Sequence, residues 1–166
     1  MKYEKKAQLP LALLCLLPLA FAGCAGEKAA SSAPAKDSWT PPVIHTKEAL
    51  AKAKDGTFEG KSKPTERGDY TILSITVKDH KITAAAYEGY KKDGTLKDET
   101  YGKTKGEEEN KAFYNKAQLA VAANHKYAEA LLQMQEVNKV DGISGATISY
   151  RQFFNAAAAA LAEADR

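Results

Sequence analysis

The sequence predicts an α+β domain in which a small antiparallel sheet is packed by helices. Apolar and polar residues alternate over residues 69–78 and a second strand-like stretch covers 82–90, with only a short turn between them. Helical periodicity dominates the chain from residue 107 onward. The 166 residues suit one ordinary domain, and 44% hydrophobic residues suffice for a core.

The charge of the chain is nearly balanced, with 24 lysines and arginines, 21 aspartates and glutamates, and a formal net charge of +3. Residues 1–23 contribute three lysines and one glutamate, so the rest of the chain carries 21 basic and 20 acidic side chains. A nucleic-acid interface needs clustered lysine and arginine. We therefore expect no nucleic-acid partner.

Residues 1–23 have the pattern of a secretory signal peptide. Lys2, Lys5 and Lys6 precede an apolar run over residues 9–22. This run is too short, and twice interrupted by proline, for a transmembrane helix. The pattern predicts export of the chain and removal of the segment.

The end of this segment, Ala22-Gly23-Cys24, resembles the lipobox of bacterial lipoproteins. The resemblance implies that Cys24 is lipidated and that its acyl chains anchor the protein in a lipid bilayer, on the extracytosolic side of the cell membrane. Cys15 lies within the removed segment, so no disulfide can form in the mature chain. The alternative is a free Cys24 thiol after ordinary cleavage.

Residues 24–43 are interpreted as a flexible spacer that joins the lipidated cysteine to a domain over residues 44–166. Alanine, serine, lysine and proline dominate most of this stretch, without apolar periodicity. Trp39 has two interpretations, as part of the spacer or as an anchor on the domain surface. We favour the spacer.

A short helix and a strand are predicted in the first part of the domain. Thr46 is a suitable N-cap for a helix over Thr46–Lys54, which is rich in good helix formers. Asp55-Gly56 predicts a turn, and Thr57–Lys61 predicts a short strand.

A β-hairpin follows, with strands over 69–78 and 82–90. Both faces of its first strand are partly apolar, which places this strand in the interior of the sheet. Asp79-His80 fits the two-residue hairpin turn, so His80 is a turn residue rather than a ligand. The small residues Ala84–Ala86 leave room for a helix or a ligand to approach the sheet.

Two long helices are predicted in the second half of the domain. The first opens at Glu107–Glu109, where acidic side chains suit the helix dipole, and Asn124-His125 is a point where it could divide. The second covers Ile148–Ala164. The polar segment 91–106, between the sheet and the helices, is a candidate binding loop.

A small, hydroxyl-rich segment over residues 140–149 leads directly into the last helix. Free backbone N–H groups and the positive end of the helix dipole favour an anion such as phosphate at this junction. An equally supported alternative is that the glycines only turn the chain and that the helix is capped by Asp141, Ser144 or Ser149.

The run Asp141-x-x-Ser144-Gly145-Ala146-Thr147 resembles the flavinylation motif of the FMN-binding domain family. That family is found in sodium-pumping quinone reductase subunits and in extracytosolic flavoprotein electron carriers. The resemblance extends to residues 55–60 and 77–82, which are similar to the family's opening strand and hairpin, although His80 stands where the turn usually has glycine. It covers about residues 50–165.

This resemblance implies a covalently bound FMN cofactor. A separate, magnesium-dependent flavin transferase would split FAD and join the FMN phosphate to the Thr147 hydroxyl as a phosphodiester. The same enzyme would recognise Asp141, Ser144, Gly145 and Ala146. A threonine suits the acceptor role because it is short and stiff, and because the linked phosphate keeps one negative charge for the helix terminus to stabilise.

The flavin ring also has to be positioned, because a protein tunes a cofactor's potential through stacking and hydrogen bonds. Each candidate for stacking can equally be an ordinary core or surface aromatic. The candidates are Tyr87, Tyr90, Tyr101, Phe113, Tyr150 and Phe153.

The expected function is electron transfer between a membrane donor, such as a quinone-linked dehydrogenase, and an extracytosolic acceptor. We expect a redox carrier rather than a stand-alone enzyme, with no catalytic residue and no metal site, because the sequence has no zinc-type Cys/His cluster, no G-x-S-x-G elbow and no P-loop. A terminal reductase would need a substrate-binding insertion, and we find none. The alternative is a non-redox lipoprotein that binds a ligand or a surface partner.

Overall fold

The computed structural model describes residues 39–166, and the predicted signal peptide and the lipidation residue Cys24 lie outside the described residues. The α+β prediction is confirmed, since three helices and a three-stranded antiparallel sheet make up the domain. The elements in chain order are α1 (Thr46–Lys52), β1 (Gly56–Lys61), β2 (Tyr70–Lys78), β3 (Lys81–Tyr90), α2 (Lys111–Met134), a 3-10 turn (Val137–Lys139) and α3 (Thr147–Ala164).

The sheet has the order β1-β2-β3, with β2 in the centre as its sequence predicted. One face of β2 is buried, and Leu73, Ile75 and Val77 are each 1% exposed. The other face is half-buried, as expected from alternation along a strand with one face on the core. Helices α2 and α3 pack on this sheet, α2 against β3 and α3 mainly against β1.

The predicted hairpin turn is confirmed. Asp79 and His80 both adopt positive φ, 51° and 60°, as a type I′ turn requires. The carboxylate of Asp55 accepts a hydrogen bond from the Asp79 N–H at 2.9 Å, and the His80 Nδ1 lies 2.9 Å from the Leu50 carbonyl. These two bonds fix the hairpin against α1 and the segment that follows it.

Helix α1 differs from its prediction at Thr46. His45 is the N-cap and provides no side-chain hydrogen bond, while Thr46 is the first helical residue and is buried. The Thr46 hydroxyl instead accepts a hydrogen bond from the Val137 N–H at 3.1 Å. The predicted cap was wrong because this hydroxyl serves a residue far along the chain.

Helix α2 begins four residues later than predicted and is continuous. Asn110 caps it by accepting a hydrogen bond from the Phe113 N–H at 3.0 Å, whereas Glu107 pairs with Thr104 in an isolated β-bridge. The proposed division at Asn124-His125 was wrong, since both residues lie inside one helix of 24 residues.

Helix α3 approaches the sheet most closely at Gly60 of β1. A Cβ atom at this position would lie 1.9 Å from the Ala156 carbonyl oxygen and 2.2 Å from the Ala160 nitrogen. The small residues of α3 therefore face a strand position without a side chain. The stretch Ala84–Ala86 does not supply this contact: two of its alanines are exposed, and Ala85 packs against the edge of the core.

Trp39 packs on the domain, which confirms the anchor interpretation and not the spacer that we favoured. Its ring lies edge-on to Tyr150 and Phe154, with centroids 5.7 and 5.8 Å apart. The chain after Trp39 is also held to the domain, because the Asn138 side chain accepts a hydrogen bond from the Ile44 N–H at 2.8 Å. Within residues 39–166, no helix has the length and apolar character needed to cross a membrane.

Candidate functional site

The hydroxyl-rich segment forms a tight turn that delivers Thr147 to the start of α3. The Ile143 carbonyl accepts from the Ala146 N–H at 3.0 Å, and Gly145 has a φ of +83°. A glycine with positive φ at the third position of such a turn defines type II geometry. Ala146 is buried and acts as the helix N-cap, so Thr147 becomes the first helical residue.

The side chain of Thr147 is exposed, and no side chain caps the helix that it begins. The alternative in which Asp141, Ser144 or Ser149 caps α3 was therefore wrong. Asp141 and Ser144 are exposed, and Ser149 lies inside the helix. The first N–H groups of a helix lack partners within it and carry the positive end of the dipole. An anion attached at Thr147 would lie close to these N–H groups and to the positive end of the dipole.

Three tyrosine hydroxyls hold this turn from the core side. The Tyr127 hydroxyl accepts from the Ile143 N–H at 3.0 Å. The Tyr150 hydroxyl donates to the Val140 carbonyl and the Tyr87 hydroxyl donates to the Ser149 carbonyl, both at 2.8 Å. The backbone on either side of Thr147 is thus fixed by side chains from β3, α2 and α3.

Burial raises the pKa of all three tyrosine hydroxyls, Tyr87, Tyr127 and Tyr150. At Tyr150 the nearby Asp141 carboxylate adds to this rise of the pKa. Each hydroxyl therefore keeps its proton well above neutral pH, and the two donors among them remain able to donate to the turn.

Exposed apolar side chains flank Thr147. Ile148 is 66% exposed, and Leu119 of α2 is 41% exposed. The Leu119 Cδ2 atom would lie 2.7 Å from a Cβ at Gly145, so this leucine covers the glycine of the turn. Nothing in the sequence marks either side chain as functional, because an apolar residue in a helix is normally assigned to the core.

Two of the six proposed stacking residues lie in the core. Tyr87 is 1% exposed and Phe153 is fully buried, with ring centroids 5.4 Å apart. Neither ring has an exposed face on which a flavin could stack, so these two candidates were wrong. Tyr150 is half-buried, and its ring packs against Trp39 and Phe154.

The other three candidates lie at or near the surface. Tyr90 stacks on Tyr70 with centroids 5.4 Å apart, and its hydroxyl donates to Glu88. Tyr101 lies beneath the Lys97 ammonium, 4.7 Å from the ring centroid. Phe113 is 44% exposed near the start of α2. Only Phe113 combines this exposure with no partner ring among the aromatic pairs of the described residues.

The family model of the FMN-binding domain matches residues 65–162, which include β2, β3, α2, the turn before Thr147 and most of α3. The chain belongs to the FMN-binding domain family. It is therefore a flavin-binding protein with FMN as its cofactor. Comparison with curated proteins gave no significant match.

Two solved structures are similar to this member of the family. The crystal structure of the CPE2226 protein from Clostridium perfringens has 28% sequence identity and a TM-score of 0.53, over 68% of this chain and 88% of that one. A solution NMR structure from Clostridium thermocellum has 24% identity and a TM-score of 0.39, over 68% of this chain and 93% of that one. The first likeness supports the α+β fold.

The residues around Thr147 fit an FMN group. The exposed hydroxyl of Thr147 can accept a phosphate, the start of α3 offers N–H groups and a positive dipole end to it, and Ile148 and Leu119 offer apolar surface to a ring. Among residues 39–166, no three His, Cys, Asp or Glu side chains are grouped as a metal site would require. Ser144, Gly145 and Ala146 belong to the turn directly before Thr147, and Asp141 lies two residues before this turn begins at Ile143.

Replacement of Gly145 by alanine should reduce FMN attachment. An alanine at a φ of +83° costs on the order of 1–2 kcal/mol, and its Cβ would press on Leu119. The turn should shift and carry Thr147 out of position, which the mass of the protein after maturation would show as a larger unmodified fraction. Gly106→Ala is the matched control, since its φ is +84° with no heavy atom within 4 Å of its Cβ position. Equal attachment in both variants would contradict the role of the turn.

Proposed function

We propose that this protein carries FMN covalently on Thr147 and transfers electrons outside the cytoplasm. The observation that carries the proposal is the exposed Thr147 hydroxyl at the uncapped start of α3, within a complete flavinylation motif. Membership of the FMN-binding domain family supports the flavin, and the geometry of the turn supports the point of attachment.

Attachment needs a flavin transferase with Mg²⁺ and FAD as the donor. A bond forms between the Thr147 Oγ and the phosphorus of the FMN half of FAD, and the pyrophosphate bond breaks. AMP is the leaving group, and the threonine proton is released. Asp141, just before the turn, and Ser144, within it, are exposed where an enzyme can contact them, whereas Ala146 is buried and acts through the shape of the turn.

The protein's own residues bind and orient the group. The phosphodiester keeps one negative charge, which the first turn of α3 stabilises through its dipole by about 0.3–1 kcal/mol. The hydroxyls of Tyr87, Tyr127 and Tyr150 keep the turn in place without ionising. The bound flavin supplies the redox chemistry.

The amino-terminal sequence supports a membrane location for this chemistry. A signal peptide over residues 1–23 and a lipidated Cys24 would anchor the domain on the extracytosolic side of the cell membrane. The electron donor is then a membrane enzyme such as a quinone-linked dehydrogenase, and the acceptor is extracytosolic. Covalent linkage prevents loss of the cofactor by diffusion.

The experiment uses the full chain expressed with a flavin transferase, as wild type and as Cys24→Ala. Wild-type protein should be found in the membrane fraction, and its flavin absorbance should bleach when a quinone-linked dehydrogenase in the same membranes receives its substrate. Cys24→Ala should carry the same flavin, leave the membrane and bleach more slowly. Membrane binding that is independent of Cys24 would contradict the anchor, and flavin that stays oxidised in wild-type membranes would contradict the carrier role.

A further inference from the structure

We propose that Leu119 and Ile148 form an apolar platform on which the flavin ring lies, with the opposite face of the ring open to a protein redox partner. This inference rests on the proposed attachment of FMN to Thr147. The platform is defined by these two side chains, one from α2 and one from α3.

Their positions relative to the attachment point support this assignment. Ile148 follows Thr147 directly and is 66% exposed at the start of α3. Leu119 covers Gly145, two residues before Thr147, and is 41% exposed. Large apolar side chains that remain in water near an attachment residue gain free energy when an aromatic ring covers them.

The ring cannot reach the aromatic core beneath the turn. Tyr87, Tyr127 and Phe153 are at most 1% exposed, and the Tyr87 and Tyr127 hydroxyls are occupied by the backbone of the turn and of α3. The ring therefore stays outside the tyrosines that hold Thr147 in place. The platform offers it exposed apolar side chains next to the turn and at the start of α3.

The described cavities lie elsewhere in the domain. One of about 70 Å³ is lined by residues of β3, α2 and the loop between them, and one of about 190 Å³ lies beside α1. Neither is lined by Leu119, Thr147 or Ile148. Leu119 and Ile148 are themselves exposed at the surface, so the opposite face of a ring on the platform is open and suits contact with the surface of another protein.

The test measures how freely the attached ring moves and how accessible it is. Leu119→Asn and Ile148→Asn are each made in the full chain with the transferase, and FMN attachment is checked by mass. Leu132→Asn is the matched control, since Leu132 is 38% exposed on the same helix and about 20 Å further along it. Thermal unfolding checks that all three variants fold.

A ring that lies on the platform turns with the whole domain, so its fluorescence anisotropy should be high in wild type and in Leu132→Asn. It should fall in Leu119→Asn and in Ile148→Asn, because a ring on a free ribityl chain moves within nanoseconds. Iodide should quench the wild-type flavin emission through the open face. Unchanged anisotropy in both platform variants, or wild-type emission that iodide cannot quench, would overturn the platform. Missing FMN in the wild type would instead overturn the proposed attachment.

Discussion

Thr147→Ala should abolish covalent flavin completely. The variant removes the only hydroxyl that the motif presents at the start of α3, while the backbone of the turn and its tyrosine hydrogen bonds remain. Because Thr147 is exposed and alanine is a good helix former, the free energy of unfolding of the protein without flavin should change by no more than about 0.5 kcal/mol. Coexpression with a flavin transferase, followed by intact mass and visible absorbance, measures the result.

Two variants make this experiment specific. Thr147→Ser keeps a hydroxyl on a less restricted side chain, so it should retain attachment at a reduced level. Thr95→Ala removes an exposed threonine from a loop outside the motif and should retain full attachment. A Thr147→Ala protein that still carries one FMN through a covalent bond would show that another residue is the acceptor.

Gly60→Ala should destabilise the protein strongly. The added Cβ would meet the backbone of α3, 1.9 Å from the Ala156 carbonyl oxygen and 2.2 Å from the Ala160 nitrogen. No rotamer change relieves contacts with backbone atoms, so α3 has to move away from β1. Overpacking of this kind costs about 1–3 kcal/mol and sometimes more, and we expect about 3 kcal/mol or more from urea unfolding.

Gly56→Ala is the matched control for this prediction, because it lies on the same strand. Its Cβ would lie 3.4 Å from the Phe58 ring, which is ordinary van der Waals contact. The free energy of unfolding should stay the same or rise slightly, since alanine restricts the unfolded chain more than glycine does. A Gly60→Ala protein as stable as Gly56→Ala would contradict the close approach of α3 to the sheet.

The sheet could be predicted from sequence because its signals are local. Alternation over β2, the polar turn at Asp79-His80 and the strand that follows require only neighbouring residues, and the structure has all three. Helix starts were less predictable where contacts outside the helix decide them. The Thr46 hydroxyl serves Val137, and the chain before α2 forms a β-bridge at Glu107 where a first helical turn was expected.

The position of Thr147 at the start of the last helix could be predicted, whereas its surroundings could not. A continuous motif such as Asp141–Thr147 needs no knowledge of the fold. Whether an aromatic side chain can stack on a flavin depends on its burial, which the sequence does not reveal. Tyr87 and Phe153 face the core. The role of Tyr127 in holding the turn could not be predicted, because its hydrogen bond with the Ile143 N–H joins α2 to a distant loop.

The most direct test of the account is the mass of the peptide that contains residues 144–151, from protein purified from its native host. The peptide should be heavier than its sequence by one FMN less one water, and fragmentation should place the added mass on Thr147. An unmodified peptide from cells with an active flavin transferase would contradict covalent flavin at this position, and with it the proposed electron carrier.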